Sequence, residues 1–289
     1  MKALEITIEL AQEAGHLASQ FLKYPHDLEY EKTFMPFCLL SKKRYVGMLF
    51  EKDVKKGKRK EMGIVLKRRD NAPIVKDVYG GIIDILMKEK NIGMAIDYLS
   101  SHLTHLVKEE CPIEKLIISK ALRSDYKNPK QIAHKVLADR IGEREPGNKP
   151  KPGDRIKFVH FVNKQKTKCL QGEKIEVPEY IIANKLPINY EFYITNQLMK
   201  PIIQLYSLAI EEMLVLKGNS RIALINYKKE IEDLKREFSH DLEIYAKKRE
   251  KICSYKAQKM LFEKYLTQIN NESMGIKYDM TYYTENKQK

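Results

Sequence analysis

The sequence predicts an α+β protein, with a helix and a few antiparallel strands, then a mostly helical region and a helical C-terminal appendage. Three observations predict this class. Apolar residues recur at helical spacing in the first segment, and the stretch after it changes to the two-residue period of strands. From Ile74 onward the helical period returns and dominates.

The composition indicates a globular chain with a polyanionic partner. Of the 289 residues 43% are hydrophobic, and Lys and Arg total 53 against 39 Asp and Glu, a net charge of +14. This excess favours nucleic acid or an anionic membrane surface as partner. No apolar run approaches the ~20 residues of a membrane span, and no signal peptide is expected. Four scattered cysteines without a CxxC pair suggest neither a zinc site nor disulfides, which favours a reducing intracellular compartment.

The N-terminal region is predicted to be one amphipathic helix and a small sheet. The helix is indicated by apolar residues at Leu4, Ile8, Ala11, Ala14, Leu17, Ala18 and Phe21. "HDLEYEKTFMPFCLLSKKRYVGMLFE" then predicts two or three strands, with Pro36 at an edge or a bulge. The charged "EKDVKKGKRKEMG" is interpreted as a hairpin tip, and "IVLKRRDNAP" leads out of the sheet.

The rest of the chain is predicted to be mainly helical. Two helices over Ile74–Leu106 divide near Asn91, and another helix follows a turn at Pro129. A strand is expected over Arg155–Val162 and a helix pair bent at Pro201. In the Lys/Glu-rich tail, apolar residues recur every seven positions, but the partner positions include charges, which favours a long helix packed on its own domain over a coiled coil. The heptad residues are Leu224, Ile231, Phe238, Tyr245 and Ile252.

Three basic stretches are candidate binding elements. Strand alternation places Lys43, Tyr45, Gly47 and Leu49 on one face and Lys42, Arg44, Val46 and Met48 on the other. A tyrosine beside a lysine suits a duplex groove, whereas a solvated strand end explains the same pattern. In "LKRRDN", Asp70 is placed to orient an arginine towards phosphate, or forms a surface ion pair. The third stretch sets Lys149, Lys151, Arg155 and Lys157 around a glycine turn, as a phosphate grip or a solubilising loop.

Local motifs indicate binding rather than catalysis. His102 and His105 stand at i, i+3 without an HExxH pattern or a third ligand, so they are interpreted as ordinary helix histidines. The sequence contains no Walker loop, no GxGxxG and no GxSxG.

The basic stretches and the segments around them resemble the end of the palm and the thumb of B-family DNA polymerases, of the delta type found in eukaryotes and large DNA viruses. "LEYEKTFMPFCLLSKKRYVGMLFE" and "GIVLKRRDNAPIV" resemble the palm end. "LIISKAL", "QIAHKVLADRI", "PGDRIKFV" and "LPINYEFYITNQLMKPIIQLY" follow in the order of the thumb segments. The resemblance covers about Leu4 to Tyr206. The tail after about Arg221 does not resemble the family core, and the family's Cys-rich metal-binding end is missing from this sequence.

The resemblance implies a palm portion over 1–73, a thumb over 74–221 and a helical tail over 222–289. It implies that the KKRY element supports the primer terminus and that the other cations contact primer–template DNA. The residues expected to contact DNA are Lys42, Lys43, Arg44, Tyr45, Lys67, Arg68, Arg69, Lys149, Lys151 and Arg155. A nuclear or viral replication site is implied, without a membrane partner.

The family's catalytic motifs are not in this sequence. DxxSLYPS, YGDTDS and KxxxNSxYG do not occur, and the resemblance places Met1 just after the position of YGDTDS. Mg²⁺ is therefore expected for the complete polymerase but not on residues of this chain. An upstream polypeptide carrying the exonuclease, fingers and catalytic palm is the expected partner, and the chain alone is expected to be inactive. A non-catalytic scaffold protein that binds RNA or an acidic partner through its basic tail is the alternative.

Overall fold

A computed structural model describes residues 2–163, 169–216 and 221–273. The chain forms two compact units. Unit 1 contains residues up to Lys67 together with Leu86–Lys90, and unit 2 contains Arg68–Ile85 and the residues from Asn91 onward. The described residues combine many helices with two three-stranded antiparallel sheets, which confirms the predicted α+β class.

Unit 1 packs a helix against a small sheet. Helix α1 spans Lys2–Ser19, and the strands β1 (Thr33–Ser41), β2 (Arg44–Phe50) and β3 (Lys58–Met62) lie in the order β1-β2-β3. The central strand β2 is paired on both sides, as predicted. Val46 on β2 is fully buried, and α1 buries Leu4 and Ile8.

Of two predicted details of this sheet, one is confirmed and the other is wrong. The register of β1 against β2 shifts between Phe34 and Phe37, so the irregularity expected around Pro36 is confirmed. The interpretation of "KRKEM" as part of a hairpin tip is wrong, because these residues form β3. Charged residues are tolerated there because β3 is an edge strand, and its side chains reach solvent.

Unit 2 begins with two helices that match the predicted pair. Helix α2 spans Pro73–Lys88, with its last residues assigned to unit 1, and α3 spans Ile92–Val107. The division falls at Asn91, whose side chain caps α3 by accepting a hydrogen bond from the Met94 amide at 3.0 Å. Helix α3 buries one continuous apolar face that includes Leu99 and Leu103.

The second sheet lies beside helix α4 (Ala133–Arg144). Its strands β4 (Ile118–Ala121), β5 (Arg155–His160) and β6 (Ile175–Glu176) are antiparallel in the order β4-β5-β6. The strand predicted over Arg155–Val162 is confirmed in its first six residues.

The remaining helices form a continuous series towards the C-terminus. They are α5 (Pro178–Ala183), α6 (Tyr190–Phe192), a π-helical segment (Tyr193–Met199), α7 (Lys200–Tyr206) and α8 (Ile210–Leu216). The sequence predicted a bend at Pro201, and the structure places a π segment that ends at Met199, two residues before this proline. Proline has no amide hydrogen to donate, so widened helical bonding before it is a physically reasonable solution.

The tail folds into an antiparallel helical hairpin rather than one long helix. Helix α9 (Arg221–Glu237) and helix α10 (Leu242–Ser273) are separated by a short turn in which Phe238 and Asp241 are linked by backbone hydrogen bonding. The heptad series therefore crosses a break. Helix α10 packs against α3 and α7 and buries Phe262 and Tyr265, so the prediction of packing on its own domain is confirmed.

Candidate nucleic-acid interface

The KKRY stretch forms a β-hairpin tip in unit 1. Ser41 pairs with Arg44, so Lys42 and Lys43 are the two connecting residues, and β2 begins only at Arg44. The assignment of Lys42 and Lys43 to strand faces is therefore wrong, since strand alternation does not apply within the turn. Both lysines are exposed. The hairpin presents two ammonium groups at its tip, where a polyanion can reach them.

The turn depends on a glycine that follows β3. Lys43 has a φ of 63°, in the left-handed region that non-glycine residues seldom adopt. Gly63 also has a φ of 63°, and a Cβ added there would lie 2.3 Å from the Lys43 carbonyl oxygen. Its backbone therefore approaches the turn more closely than any residue with a side chain allows. Gly63 therefore determines how closely the backbone after β3 packs against the hairpin tip.

Tyr45 belongs to an aromatic cluster on one face of the sheet. Its ring centroid lies 5.8 Å from that of Phe34, edge to face, and 5.6 Å from that of Phe37. Gly47, two residues further along β2, provides the space, because a Cβ there would come within 2.9 Å of the Phe34 ring. The cluster locks the orientation of the half-buried Tyr45. An aromatic ring held in this way can pack on sugars at little further entropic cost.

The edge strand β3 adds two lysines that the sequence analysis missed. Register pairs Tyr45 with Met62 and Gly47 with Lys60, so Lys60 shares the face of Tyr45, and so does Lys58 opposite Leu49. Lys58 and Lys60 are exposed. Alternate residues of "KRKEM" face the same side of the strand. Because nearly all of them are charged, the segment shows no alternation of apolar and polar side chains, and hydrophobic periodicity does not predict it as a strand.

The RRD segment is an oriented arginine turn. Arg68 donates to both carboxylate oxygens of Asp70, at 3.0 and 2.9 Å, so the two residues form an ion pair, and the orientation of an arginine towards phosphate stays a prediction. The hydrogen bond from Arg68 holds the pKa of Asp70 below its ordinary value, and it raises the pKa of Arg68. The neighbouring Arg69 is exposed. Lys67 ends a short 3₁₀ turn in unit 1, and its side chain lies outside the described residues.

Arg155 joins this turn to the second sheet. Its guanidinium donates to the Ser119 hydroxyl at 3.0 Å and to the Ser119 carbonyl at 2.6 Å, and it contacts the Arg69 carbonyl at 3.4 Å. The structure thus brings Arg69 and Arg155 together, although 86 positions separate them in sequence. Arg155 is partly committed to holding the turn, which makes it a positioning residue as well as an exposed cation.

The two loop lysines have different environments. Lys149 packs its aliphatic stem on Gly142, where a Cβ would lie 2.7 Å from the lysine Cγ, and its ammonium lies 3.9 Å from Asp139. Lys151 is exposed, and its backbone amide donates to Asp154 at 2.7 Å within the turn that precedes β5. Lys151 is therefore the freer of the two cations.

The candidate residues fall into two groups, one in each unit. Lys42, Lys43, Arg44 and Tyr45 cluster on the hairpin of unit 1, and Arg69, Lys151 and Arg155 belong to unit 2. Among the described residues, no group of three or more His, Cys, Asp or Glu side chains is arranged to hold a metal ion. None of the four cysteines, all of which lie in the described ranges, forms a disulfide bond. In the part of the chain that the structure describes, no helix is both long and apolar enough to cross a bilayer.

Comparison with known proteins decides the family. The model of DNA polymerase family B matches residues 1–209. The chain belongs to DNA polymerase family B. It is 46% identical over 283 residues to a DNA polymerase of Pyramimonas orientalis virus, covering 98% of this chain and 23% of that protein. Identity is 51% over 214 residues to a mimivirus DNA polymerase, covering 73% and 12% respectively.

Delta-type relatives are also found. The DNA polymerase delta catalytic subunit of Drosophila melanogaster is 34% identical over 222 residues, which cover 75% of this chain and 20% of that subunit. This family B chain therefore spans less than a quarter of the length of these relatives. The viral match reaches into α9 and α10, beyond the family model, so the tail is shared with at least one polymerase.

Proposed function

We propose that this chain is the palm-end and thumb portion of a replicative DNA-directed DNA polymerase and that it grips primer–template duplex during synthesis. In this proposal residues 1–73 complete the palm, residues 74–221 form the thumb and residues 222–289 form the tail. Membership of DNA polymerase family B over residues 1–209 supports the assignment. The nucleus or a viral replication site is the corresponding place of action.

The observation that carries the proposal is the hairpin tip, where the exposed Lys42 and Lys43 stand beside the half-buried Tyr45, whose ring packs on Phe34 and Phe37. Its lysines form no ion pair with a described carboxylate, so they are free to neutralise phosphates. Lys43 and Tyr45 would face the minor groove at the primer end. Lys42, Arg44 and the cations of unit 2 would lie along the backbone.

The catalytic carboxylates and the two Mg²⁺ ions of such a polymerase belong, in this proposal, to the preceding polypeptide. The ions would stabilise charge on the attacking and leaving oxygens. In the proposal no carboxylate of this chain takes that role, because the family's two carboxylate motifs do not occur in its sequence. This chain contributes positioning: it holds the duplex and fixes the primer end.

Unit 1 also offers a surface for that preceding polypeptide. Helix α1 buries Leu4 and Ile8 but leaves Ile6, Leu10 and Leu17 between 46% and 59% exposed. Phe21, just after the helix, is 89% exposed. An apolar set of this kind on one helix and its exit indicates an interface. We assign it to the upstream half of the palm.

Two assays test the function. The purified chain should bind duplex DNA with a log–log salt slope of about −5 if roughly six phosphates are contacted. It should not extend a primer alone, and it should support extension when mixed with a polypeptide that carries the two carboxylate motifs. Synthesis by the chain alone, or binding without salt dependence, would contradict the proposal.

The scaffold alternative is weakened by the charges of the tail. Several tail cations are paired with carboxylates, for example Lys247 with Glu243 at 2.6 Å and Lys256 with Glu230 at 3.0 Å. Paired cations have less to gain from a polyanion. Because α10 packs into unit 2, replacing exposed tail lysines by glutamine is a cleaner test than deletion. Loss of all nucleic-acid binding in that variant would favour the scaffold function.

A further inference from the structure

A second basic cluster lies at the end of β4 in unit 2. We define the β4-end cluster as Lys120, Arg123 and Lys151, and all three side chains belong to exposed residues. Lys120 is the third residue of β4, and Arg123 follows two residues after the strand ends. Lys120 and Arg123 were not among the residues expected to contact DNA, because "SKALRSDYK" has no motif that distinguishes them from ordinary surface cations.

The loop that carries Arg123 is fixed by a chain of hydrogen bonds. The Arg123 amide donates to the Tyr126 hydroxyl at 2.8 Å, and that hydroxyl lies 3.0 Å from Nε2 of His134 on α4. In the neutral tautomer with hydrogen on Nδ1, Nε2 accepts from the Tyr126 hydroxyl, and that hydroxyl accepts from the Arg123 amide.

The same loop is joined to the turn that carries Lys151. The Leu122 amide donates to the Asp154 carbonyl at 2.8 Å, and the Gly153 amide donates to the Leu122 carbonyl at 2.8 Å. These bonds extend the antiparallel pairing of β4 with β5 by one residue. These bonds therefore hold the backbone before Arg123 next to the turn that carries Lys151.

No member of the cluster forms an ion pair with a described carboxylate. Asp70 accepts hydrogen bonds from Arg68, and the charge of Lys120 also contributes to lowering the pKa of Asp70. Asp154 accepts from the Lys151 amide. The loop's own carboxylate, Asp125, is exposed. Burial, then Lys120 and Arg123, lowers the pKa of His134, so the cations are felt at the imidazole.

We propose that the β4-end cluster is a phosphate-binding site that holds a phosphodiester segment of the duplex backbone, with the Tyr126–His134 hydrogen bonds acting as its brace. The proposal rests on the proposed function and adds the location of one thumb contact. Bidentate arginine and point-charge lysine donors, set on a fixed loop, match the requirements of backbone binding.

Anisotropy titration of the full chain with a primer–template duplex over a salt series tests the site. The Lys120→Gln/Arg123→Gln variant should lose about two from the magnitude of the log–log slope, since each phosphate contact contributes about 0.9. A matched control, Lys108→Gln/Lys200→Gln, removes the same charge from exposed positions elsewhere in unit 2 and should leave the slope unchanged. An equal loss in both variants would overturn the site.

The imidazole of His134 supplies a second readout that needs no variant. Bound phosphates would neutralise Lys120 and Arg123, so the pKa of His134, followed by NMR, should rise when duplex is added. Duplex binding without any change at His134 would overturn the site while leaving the proposed function intact. If the wild-type chain bound no duplex at all, the proposed function would fail first, and the site with it.

Discussion

Replacing Gly63 by alanine should displace the hairpin tip that carries Lys43. The added Cβ would lie 2.3 Å from the Lys43 carbonyl oxygen, whereas ordinary contact begins near 3.4 Å. The backbone must therefore separate by about 1 Å, and an alanine at a φ of 63° adds strain of about 1–2 kcal/mol. In the proposed assembly, where this hairpin supports the primer end, a displacement of ~1 Å there can cost on the order of a hundredfold in rate.

Single-turnover primer extension measures this effect, using the chain combined with a polypeptide that carries the catalytic carboxylates. Gly63→Ala and Lys43→Ala should both slow extension, while duplex affinity, shared among many phosphate contacts, should change little. Gly147→Ala is the neutral control, because its Cβ would meet nothing within 4 Å.

The reasoning would be refuted if Gly63→Ala extended primers as fast as the wild type while the hairpin was displaced. Hydrogen exchange of the β1 and β2 amides reports that displacement. It would also be refuted if Gly147→Ala slowed extension equally, because the loss would then not depend on the contact of Gly63 with the hairpin. Equal extension by Lys43→Ala would remove the role assigned to that lysine.

Three further predictions concern unit 2. Burial lowers the pKa of His160 to about 3, so unfolding takes up a proton below pH 6.5. The free energy of unfolding should therefore fall by about 1 kcal/mol per pH unit towards pH 3. This slope should be smaller in His160→Gln but not in exposed His240→Gln. Glu176→Gln, which removes the buried partner of Arg144, should cost about 2–3 kcal/mol in urea unfolding, against little for exposed Glu179→Gln. Arg155→Gln should increase hydrogen exchange in the Arg68–Asp70 turn without unfolding β5.

Helices α1 to α4 were predictable because their apolar residues keep a helical period and their ends carry local signals. The division between α2 and α3 was predicted near Asn91, which caps α3, and α1 follows the spacing that begins at Leu4. The Arg68–Asp70 ion pair was also predictable, since two residues separate the partners. These features are encoded by neighbours in sequence, so they can be read without knowing the tertiary structure.

The features that were missed depend on distant residues or on a missing hydrophobic signal. Strand β3 is charged and gives no alternation of apolar residues, so only its pairing with β2 reveals it. The turn at Lys42 and Lys43 becomes evident only with the approach of Gly63. Lys120 and Arg123 could not be selected from the sequence, because the loop beside them is held by hydrogen bonds from Tyr126 to the Arg123 amide and to His134 of α4. Tertiary context decides each of these, which a linear pattern cannot supply.

The tail shows why the end of a family resemblance need not be the end of a folding unit. The family model stops at residue 209, yet α10 buries Leu261, Phe262 and Tyr265 against the helices before it, and the Tyr265 hydroxyl donates to the Ser100 carbonyl at 3.0 Å. Burying three such side chains contributes about 5–9 kcal/mol, comparable with the whole stability of a domain. A chain truncated after Arg221 should therefore lose the cooperative unfolding of unit 2 in circular dichroism melts. Glutamine substitutions at exposed Lys251 and Lys259 should preserve it. If the truncated chain melted like the full chain, the buried face of α10 would contribute nothing measurable to the free energy of unfolding of unit 2, and this reasoning would be wrong.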